Sequence, residues 1–116
     1  MENCIFCQIA QKKLQAQIRD EDQQVIAFDD INPKTPVHIL VIPKKHIENV
    51  NKIAEEDTQV VGQLILAAAK LARQLKIETQ GYRLIFNQGQ HAGQVVNHLH
   101  LHLVGGQHLG PMVCQP

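Results

Sequence analysis

The sequence predicts an α+β domain with a mostly antiparallel sheet of about five strands. Three observations lead there: one long apolar stripe at helical spacing, several short β-branched or alternating runs, and short connections between them. The 116 residues are the length of one domain, read as spanning 1–116. Along the chain, Ile5, Ile9 and Leu14 with Lys12 and Lys13 suggest a short first helix over roughly residues 5–12. Ala16–Arg19 and Val25–Asp29 read as strands, with the acidic run Asp20–Asp22 as their turn. Asn32-Pro33-Lys34-Thr35-Pro36 marks a loop. Val37–Ile42 is a continuous apolar run with one histidine, bounded by prolines, and reads as a central strand.

The long helix is the most strongly marked element. Val60, Val61, Leu64, Ile65, Ala68, Leu71, Ala72 and Leu75 recur every three to four residues, defining a helix over about 55–75. Glu55, Glu56 and Asp57 sit at its start and Lys70, Arg73 and Lys76 towards its end, the order the helix dipole favours. Gly81 closes the segment. Tyr82–Phe86 reads as a further strand, residues 87–94 as a glycine-punctuated loop, and His98–Val104 as the last strand, ended by Gly105-Gly106.

Composition narrows the function classes. Hydrophobic residues make up 44% of the chain but aromatic ones only 3%, so the core must be aliphatic. Eleven basic and eleven acidic side chains cancel, and a neutral chain lacks the basic face that nucleic-acid binding requires. No apolar stretch is long enough to span a bilayer. The N-terminus lacks the pattern of a signal peptide, and the expected location is the cytoplasm. Of three cysteines, Cys4 and Cys7 form a C-x-x-C, which in a cytoplasmic chain suggests metal or redox chemistry. Cys114 is read as exposed and incidental, and His91 and His108 as surface residues.

The most informative stretch is His98-Leu99-His100-Leu101-His102-Leu103-Val104. In a strand, alternate side chains share a face, so three imidazoles would line one face roughly 6–7 Å apart while the leucines enter the core. Lys, Thr or Glu would serve a solvent-facing strand equally well, so fold alone does not explain the pattern. Local spacing leaves two chemistries open: metal ligation, and nucleophilic and acid/base catalysis by imidazole near neutral pH.

This His-φ-His-φ-His-φ-φ motif, with φ hydrophobic, resembles the signature of the histidine-triad (HIT) superfamily. The segments FDDINPKTPVHILVIPKKHI, GYRLIFNQG, AGQ and HLVGGQHLGPM are similar to its Hint branch across nearly the whole chain. The resemblance implies a HIT-like fold and a purine nucleoside phosphoramidase or nucleotidyl hydrolase. Such an enzyme releases AMP or GMP from phosphoramidates or acyl-nucleotides through a nucleotidyl-histidine. It implies His100 as nucleophile, His102 as donor to the phosphate oxygens, His98 as support and His38 as a fourth histidine beside the phosphate. Asp30 matches the ribose-binding carboxylate, with Asp29 read as a solvated neighbour. Phe6, Phe28, Ile31 and Leu40 match the walls around the base, and Asn87 and Gly93 match positions near the α-phosphate. Val95 stands where many Hint proteins carry a serine that touches the phosphate or leaving group; valine donates no hydrogen bond, so slower turnover is expected.

Some HIT proteins carry the same C-x-x-C with zinc. By that resemblance the ligands are Cys4, Cys7, His46 and His98, a closed structural tetrad, with no organic cofactor. The branch is homodimeric, with a sheet continuous across the dimer. Two other classes stay open: a nucleotide-binding or interaction protein with negligible turnover, and a zinc protein whose histidines serve metal only.

Overall fold

A computed structural model describes residues 3–113; Cys114 lies outside the described residues. The elements run α1 (Ile5–Ala10), β1 (Ile18–Glu21), β2 (Val25–Asp29), β3 (Val37–Pro43), α2 (Thr58–Gln74), β4 (Tyr82–Phe86) and β5 (Leu101–Gly105). Short 3-10 turns cover Val50–Lys52, Glu55–Asp57 and Gln90–Ala92. The five strands form one sheet in the order β1-β2-β3-β5-β4, with every neighbouring pair antiparallel. This is the α+β architecture that the sequence predicts.

Both faces of the sheet are covered, which explains why β2 and β3 are apolar without alternation. On one face Val25, Ala27, Ile39, Val41, Leu101 and Leu103 pack against Leu64, Ala68, Leu71 and Ala72 of α2. On the other, Ile26, Phe28, Leu40 and Ile42 pack against Phe6 and Ile9 of α1. Gly105 lies where a Cβ would come within 2.9 Å of Ile77 Cδ1, and Gly106 turns the chain at φ +89° beside Pro36. The double glycine is therefore required by close approach at one position and by backbone conformation at the next.

Several element boundaries differ from expectation. The last strand begins at Leu101, not His98: residues 97–100 keep the alternating direction of the strand but not its pairing. β1 takes up Asp20 and Glu21, so the turn to β2 is built by Asp22, whose carboxylate accepts the N–H groups of Gln24 and Val25, both at 2.8 Å. Glu55–Asp57 form a 3-10 turn ahead of α2. Asp57 is buried there, accepting the Ala54 N–H at 2.9 Å and pairing with Lys45 at 2.6 Å. Ile65, expected on the buried stripe, is exposed.

Both helices end on a lysine. Lys12 (φ 64°) and Lys76 (φ 61°) are left-handed, and each follows the last helical turn in a Schellman arrangement. Lys76 N–H bonds Arg73 O at 3.1 Å and Ile77 N–H bonds Ala72 O at 3.0 Å. Lys12 and Lys13 repeat the pattern on Ile9 and Gln8. Lys76, rather than Gly81, therefore stops α2; a buried Ile77 supplies the hydrophobic contact that usually accompanies this cap.

Leu64 is fully buried at the centre of the α2 face. Leu64→Ala should lower unfolding free energy by roughly 3 kcal/mol in a denaturant titration, because the helix and sheet cannot close over the cavity. A loss below about 1 kcal/mol would mean that this interface is not the main core.

Candidate active site

The site is built on the face of the sheet that carries α1. Leu40 of β3 pairs with His102 of β5, and His38 pairs with Val104, so His38 and His102 are diagonal neighbours on one face. Their rings meet, with His38 Nε2 2.9 Å from His102 Nδ1. His100 follows, its ring centroid 5.0 Å from that of His102. His98 is fully buried further along. The leucines between them enter the α2 core, as the alternation predicts.

Backbone partners determine where each imidazole carries its proton. The Lys34 N–H donates to His38 Nδ1 at 3.0 Å, so neutral His38 carries its hydrogen on Nε2. That nitrogen donates to His102 Nδ1, leaving the His102 hydrogen on Nε2. The His98 carbonyl oxygen accepts from His100 Nδ1 at 2.7 Å, so neutral His100 keeps a lone pair on Nε2. The Pro43 carbonyl accepts from His98 Nε2 at 2.8 Å, so its lone pair is on Nδ1. The chain thus presents a basic nitrogen on His100, a donor on His102 and a ligand nitrogen on His98.

Burial reinforces these assignments. It pushes His102 down to about 4, with His100 and His38 adding to the effect. It also lowers His38, against the opposing pull of Asp30. Both rings are therefore neutral at pH 7. Asp30 Oδ2 lies 3.4 Å from His38 Nε2, while its Oδ1 accepts the Asn32 N–H at 2.8 Å. Asp29 is not simply solvated: it makes a two-bonded pair with Arg19, at 2.8 and 2.9 Å.

Phe6, Phe28 and Leu40 come together in the small core beneath this face. The ring of Phe6 stands edge-on to Phe28, His98 and His100, at centroid distances of 5.5, 5.9 and 5.2 Å. Ile31 is apart from that cluster and 92% exposed, an apolar side chain in water one residue beyond Asp30. Asn87 is half-buried just after β4. Gly93 is left-handed (φ 81°) at the end of the 3-10 turn Gln90–Ala92. Val95 is 88% exposed and forms part of an open groove with Ile5, His46, Glu48 and Asn97. That groove lies beside the cysteines rather than over the His38–His102 pair. His91 and His108 are exposed, as expected.

Some of the machinery leaves no trace in side-chain types. The Lys34 N–H and the Pro43 and His98 carbonyls act through the backbone. Gln94 reads from sequence as no more than a loop residue. Its Nε2 donates to Glu48 O and Val96 O, both at 3.1 Å, and its Oε1 accepts the Gly89 N–H at 3.0 Å. It staples the loop that carries Gly93 and Val95; the G-Q pair was its only signal.

The C-x-x-C forms a second cluster. Cys4 is the N-cap of α1, its sulfur accepting the Cys7 N–H at 3.3 Å. His46 Nδ1 lies 3.2 Å from Cys7 Sγ, and His98 Nδ1 lies 3.3 Å from Cys4 Sγ and 3.5 Å from Cys7 Sγ. All four ligand atoms fall within 4.8 Å of one another. In a tetrahedral site with ordinary Zn–S and Zn–N bonds, neighbouring S and N ligands stand about 3.5 Å apart. The four residues are therefore close enough to hold a metal ion, and two sulfurs with two imidazoles are a donor set that zinc favours. Burial, with Cys4 adding to it, pushes the Cys7 thiol up to about 11. A cation is what would allow both sulfurs to be thiolates.

Comparison with known proteins agrees with this geometry. The HIT domain family model matches residues 11–109, and the chain belongs to the HIT family. It is 46% identical to the purine nucleoside phosphoramidase of Escherichia coli (strain K12) over 112 residues, covering 97% of this chain and 94% of that protein. Among solved structures, a HIT family hydrolase from Clostridium thermocellum superimposes with a TM-score of 0.94 at 50% identity, covering 98% of this chain and 99% of that one. A histidine triad protein from Clostridium difficile gives 0.94 at 36% identity, covering 97% and 98%.

The depressed His102 has a consequence for stability. An unfolded histidine titrates near 6.5, whereas the folded one stays neutral down to about 4. Between those values the unfolded chain binds more protons, so stability should fall as pH drops from about 6.5 to 4 and be untouched by this group above that window. Denaturant titrations of the wild type and His102→Asn check this. Asparagine can still accept from His38 but does not titrate, so the pH slope should be shallower; equal slopes would refute it.

Proposed function

We propose that this HIT-family hydrolase is a purine nucleoside phosphoramidase, releasing AMP or GMP from phosphoramidate or acyl-nucleotide substrates. The observation that carries the reading is the tautomer of His100. With its Nδ1 hydrogen given to the His98 carbonyl, Nε2 has a lone pair ready to attack phosphorus. A P–N bond to His100 forms as the bond to the leaving amine breaks, and the amine takes a proton from solvent as it departs. Water then attacks the nucleotidyl-histidine, restoring His100 and freeing the monophosphate. Splitting one displacement in two lowers each barrier. The His102 Nε2–H, left free by the His38 contact that the Lys34 N–H in turn orients, is the donor for the phosphate oxygens as their charge grows.

The binding residues follow the same reading. Asp30 Oδ2, shared with His38 Nε2 at 3.4 Å, keeps lone-pair capacity for a ribose hydroxyl once Asn32 has taken Oδ1. The base lies between Ile31 and the wall formed by Phe6, Phe28 and Leu40, which gives the exposed isoleucine a partner. Asn87 and Gly93 approach the α-phosphate. Val95 replaces a hydrogen-bonding residue with a methyl-bearing one at the leaving-group side, and this favours a second reading in which nucleotide binds but turns over negligibly. Zinc is the metal proposed for Cys4, Cys7, His46 and His98; when bound it ties the N-terminal knuckle to the sheet. His46 and His98 supply their Nδ1 atoms, and the free thiols suit a reducing compartment such as the cytoplasm.

A homodimer is also proposed. β4 ends the sheet order, so among the described residues one edge of it is unpaired, and Ile65 and Leu66 of α2 are exposed. A two-fold pairing would cover an edge that is otherwise a liability. Sedimentation at micromolar concentration should give twice the mass of one chain; a monomer refutes it.

Adenosine 5′-phosphoramidate tests the activity directly. The wild type should release AMP, and His100→Ala should lower the rate by roughly 10³-fold or more. Equal background in both, with AMP still bound, would leave only the binding reading. Val95→Ser should be faster than the wild type; a variant no faster would mean that the missing hydrogen bond at this position does not limit turnover. Metal analysis of untagged protein purified without chelator should find about one zinc per chain, and less than a tenth of an equivalent would count against the tetrad.

A further inference from the structure

We infer that the Cys4–Cys7 knuckle positions the nucleophile: metal bound there holds His98 and Phe6, and these two residues hold His100. The inference rests on the metal reading of the tetrad and on His100 belonging to the nucleotide site. It makes the metal cluster part of the active site's geometry rather than a remote staple.

His98 makes the first connection. Its ring reaches the two sulfurs through Nδ1 and the Pro43 carbonyl through Nε2, while its own carbonyl accepts the His100 Nδ1–H at 2.7 Å. One residue is thus both a ligand and the group that sets the His100 tautomer. The next residue is tied down too, with Leu99 N–H bonded to Ile47 O at 2.6 Å. Ile47 directly follows His46, the fourth ligand. The two histidine ligands therefore anchor both strands of chain that meet beside His100.

Phe6 makes the second connection. It lies between Cys4 and Cys7 in sequence, and its ring stands edge-on to His98 and His100, at interplanar angles of 75° and 81°. An edge-on aromatic contact limits how the imidazole can rotate. The helix that carries Phe6 has six residues, too short to persist by its own hydrogen bonds. Without metal it is held by the packing of Phe6 and Ile9 and by weak thiol–imidazole contacts. Loss of the ion frees the knuckle, withdraws the Phe6 ring and loosens the peptide that carries the His98 carbonyl. The core between α2 and the sheet uses neither Phe6 nor any of the four ligands, so metal-free protein keeps its main fold.

Phe6 and His98 are accordingly positioning residues for His100. Their effect must be reciprocal in equilibrium terms: if metal tightens nucleotide binding by a factor, nucleotide tightens metal binding by that same factor.

The test uses the whole chain with Zn²⁺ and AMP as probes. AMP affinity is measured with and without Zn²⁺, and Zn²⁺ affinity, by competition with a chromophoric chelator, with and without AMP. Both ratios should agree and be about 5-fold or more. Proton NMR should show a protected His100 Nδ1–H resonance in the zinc form that broadens or vanishes on chelation. Phe6→Leu, loaded with zinc, should keep its metal while kcat falls about tenfold, by more than KM rises through the altered base wall. Unchanged AMP affinity and an unchanged His100 resonance on chelation would overturn the coupling and leave the metal reading intact. A Phe6→Leu effect confined to KM would reduce Phe6 to a wall for the base and overturn its positioning role. Absence of any Zn²⁺ binding would overturn both readings. Because AMP binding and the resonance do not depend on turnover, failure of the phosphoramidase assay would be distinguishable from failure of this inference.

Discussion

An imidazole has two nitrogens and, when neutral, one hydrogen, so anchoring one nitrogen determines what the other can do. The site depends on this constraint. Each of the three histidines that line its floor, and His98 beside them, is anchored through a backbone group or through a neighbour that is itself so anchored. The Lys34 N–H acts on His38 and, through it, on His102; the His98 and Pro43 carbonyls act on His100 and His98. Four chemically identical side chains thereby differ in kind: one keeps a lone pair on Nε2, one a hydrogen on Nε2, one faces sulfur and one relays. Burial keeps His38, His98 and His102 neutral, so the arrangement does not dissolve on protonation near pH 7.

Those anchors are available because the sheet is covered on both faces. A sheet open to water on the α1 side would leave His38 and His102 solvated, with freely turning rings and ordinary titration. The α1 segment closes that face mainly with Phe6 and Ile9, with Cys4 and Ala10 at the margin, and the larger core cluster sits on the α2 side. The chain thus separates two tasks. The α2 face is an aliphatic core of the ordinary kind, and the α1 face is a thin aromatic and imidazole layer over which chemistry can take place. The metal-ligand tetrad stands at the border of that thin layer, where little other packing fastens the N-terminal segment.

Much of this was legible in the residues. β2 and β3 begin where their β-branched runs begin, β4 begins at Tyr82 as expected, and the leucine–histidine alternation correctly separates core from site even where the strand itself does not extend. The HIT motif and its flanking segments led to the family. Other features were illegible for definable reasons. His98 and His100 lie before the first paired residue of β5, because strand pairing depends on a partner that sequence periodicity does not describe. The helix ends fell within two residues of expectation, but their caps were not legible, because Lys12 and Lys76 occupy left-handed positions that glycine normally marks. Ile65 sits at the correct helical spacing for the buried stripe, yet the stripe is wider than the sheet beneath it. Arg19 claims Asp29 across the β1–β2 pair, a contact set by register.

The sequence by itself determined which residue types alternate, which face of each element is apolar, and which family the chain belongs to. These are properties of side-chain order along one element, and periodicity carries them directly. Only the tertiary structure decided the tautomers, the meeting of Cys4 and Cys7 with His46 and His98, and the contact of Phe6 with His100. Each of these joins residues distant in the chain, or joins a side chain to a backbone group that every residue possesses. A carbonyl at Pro43 or an N–H at Lys34 has no letter of its own, and its role exists only once the fold brings an imidazole to it.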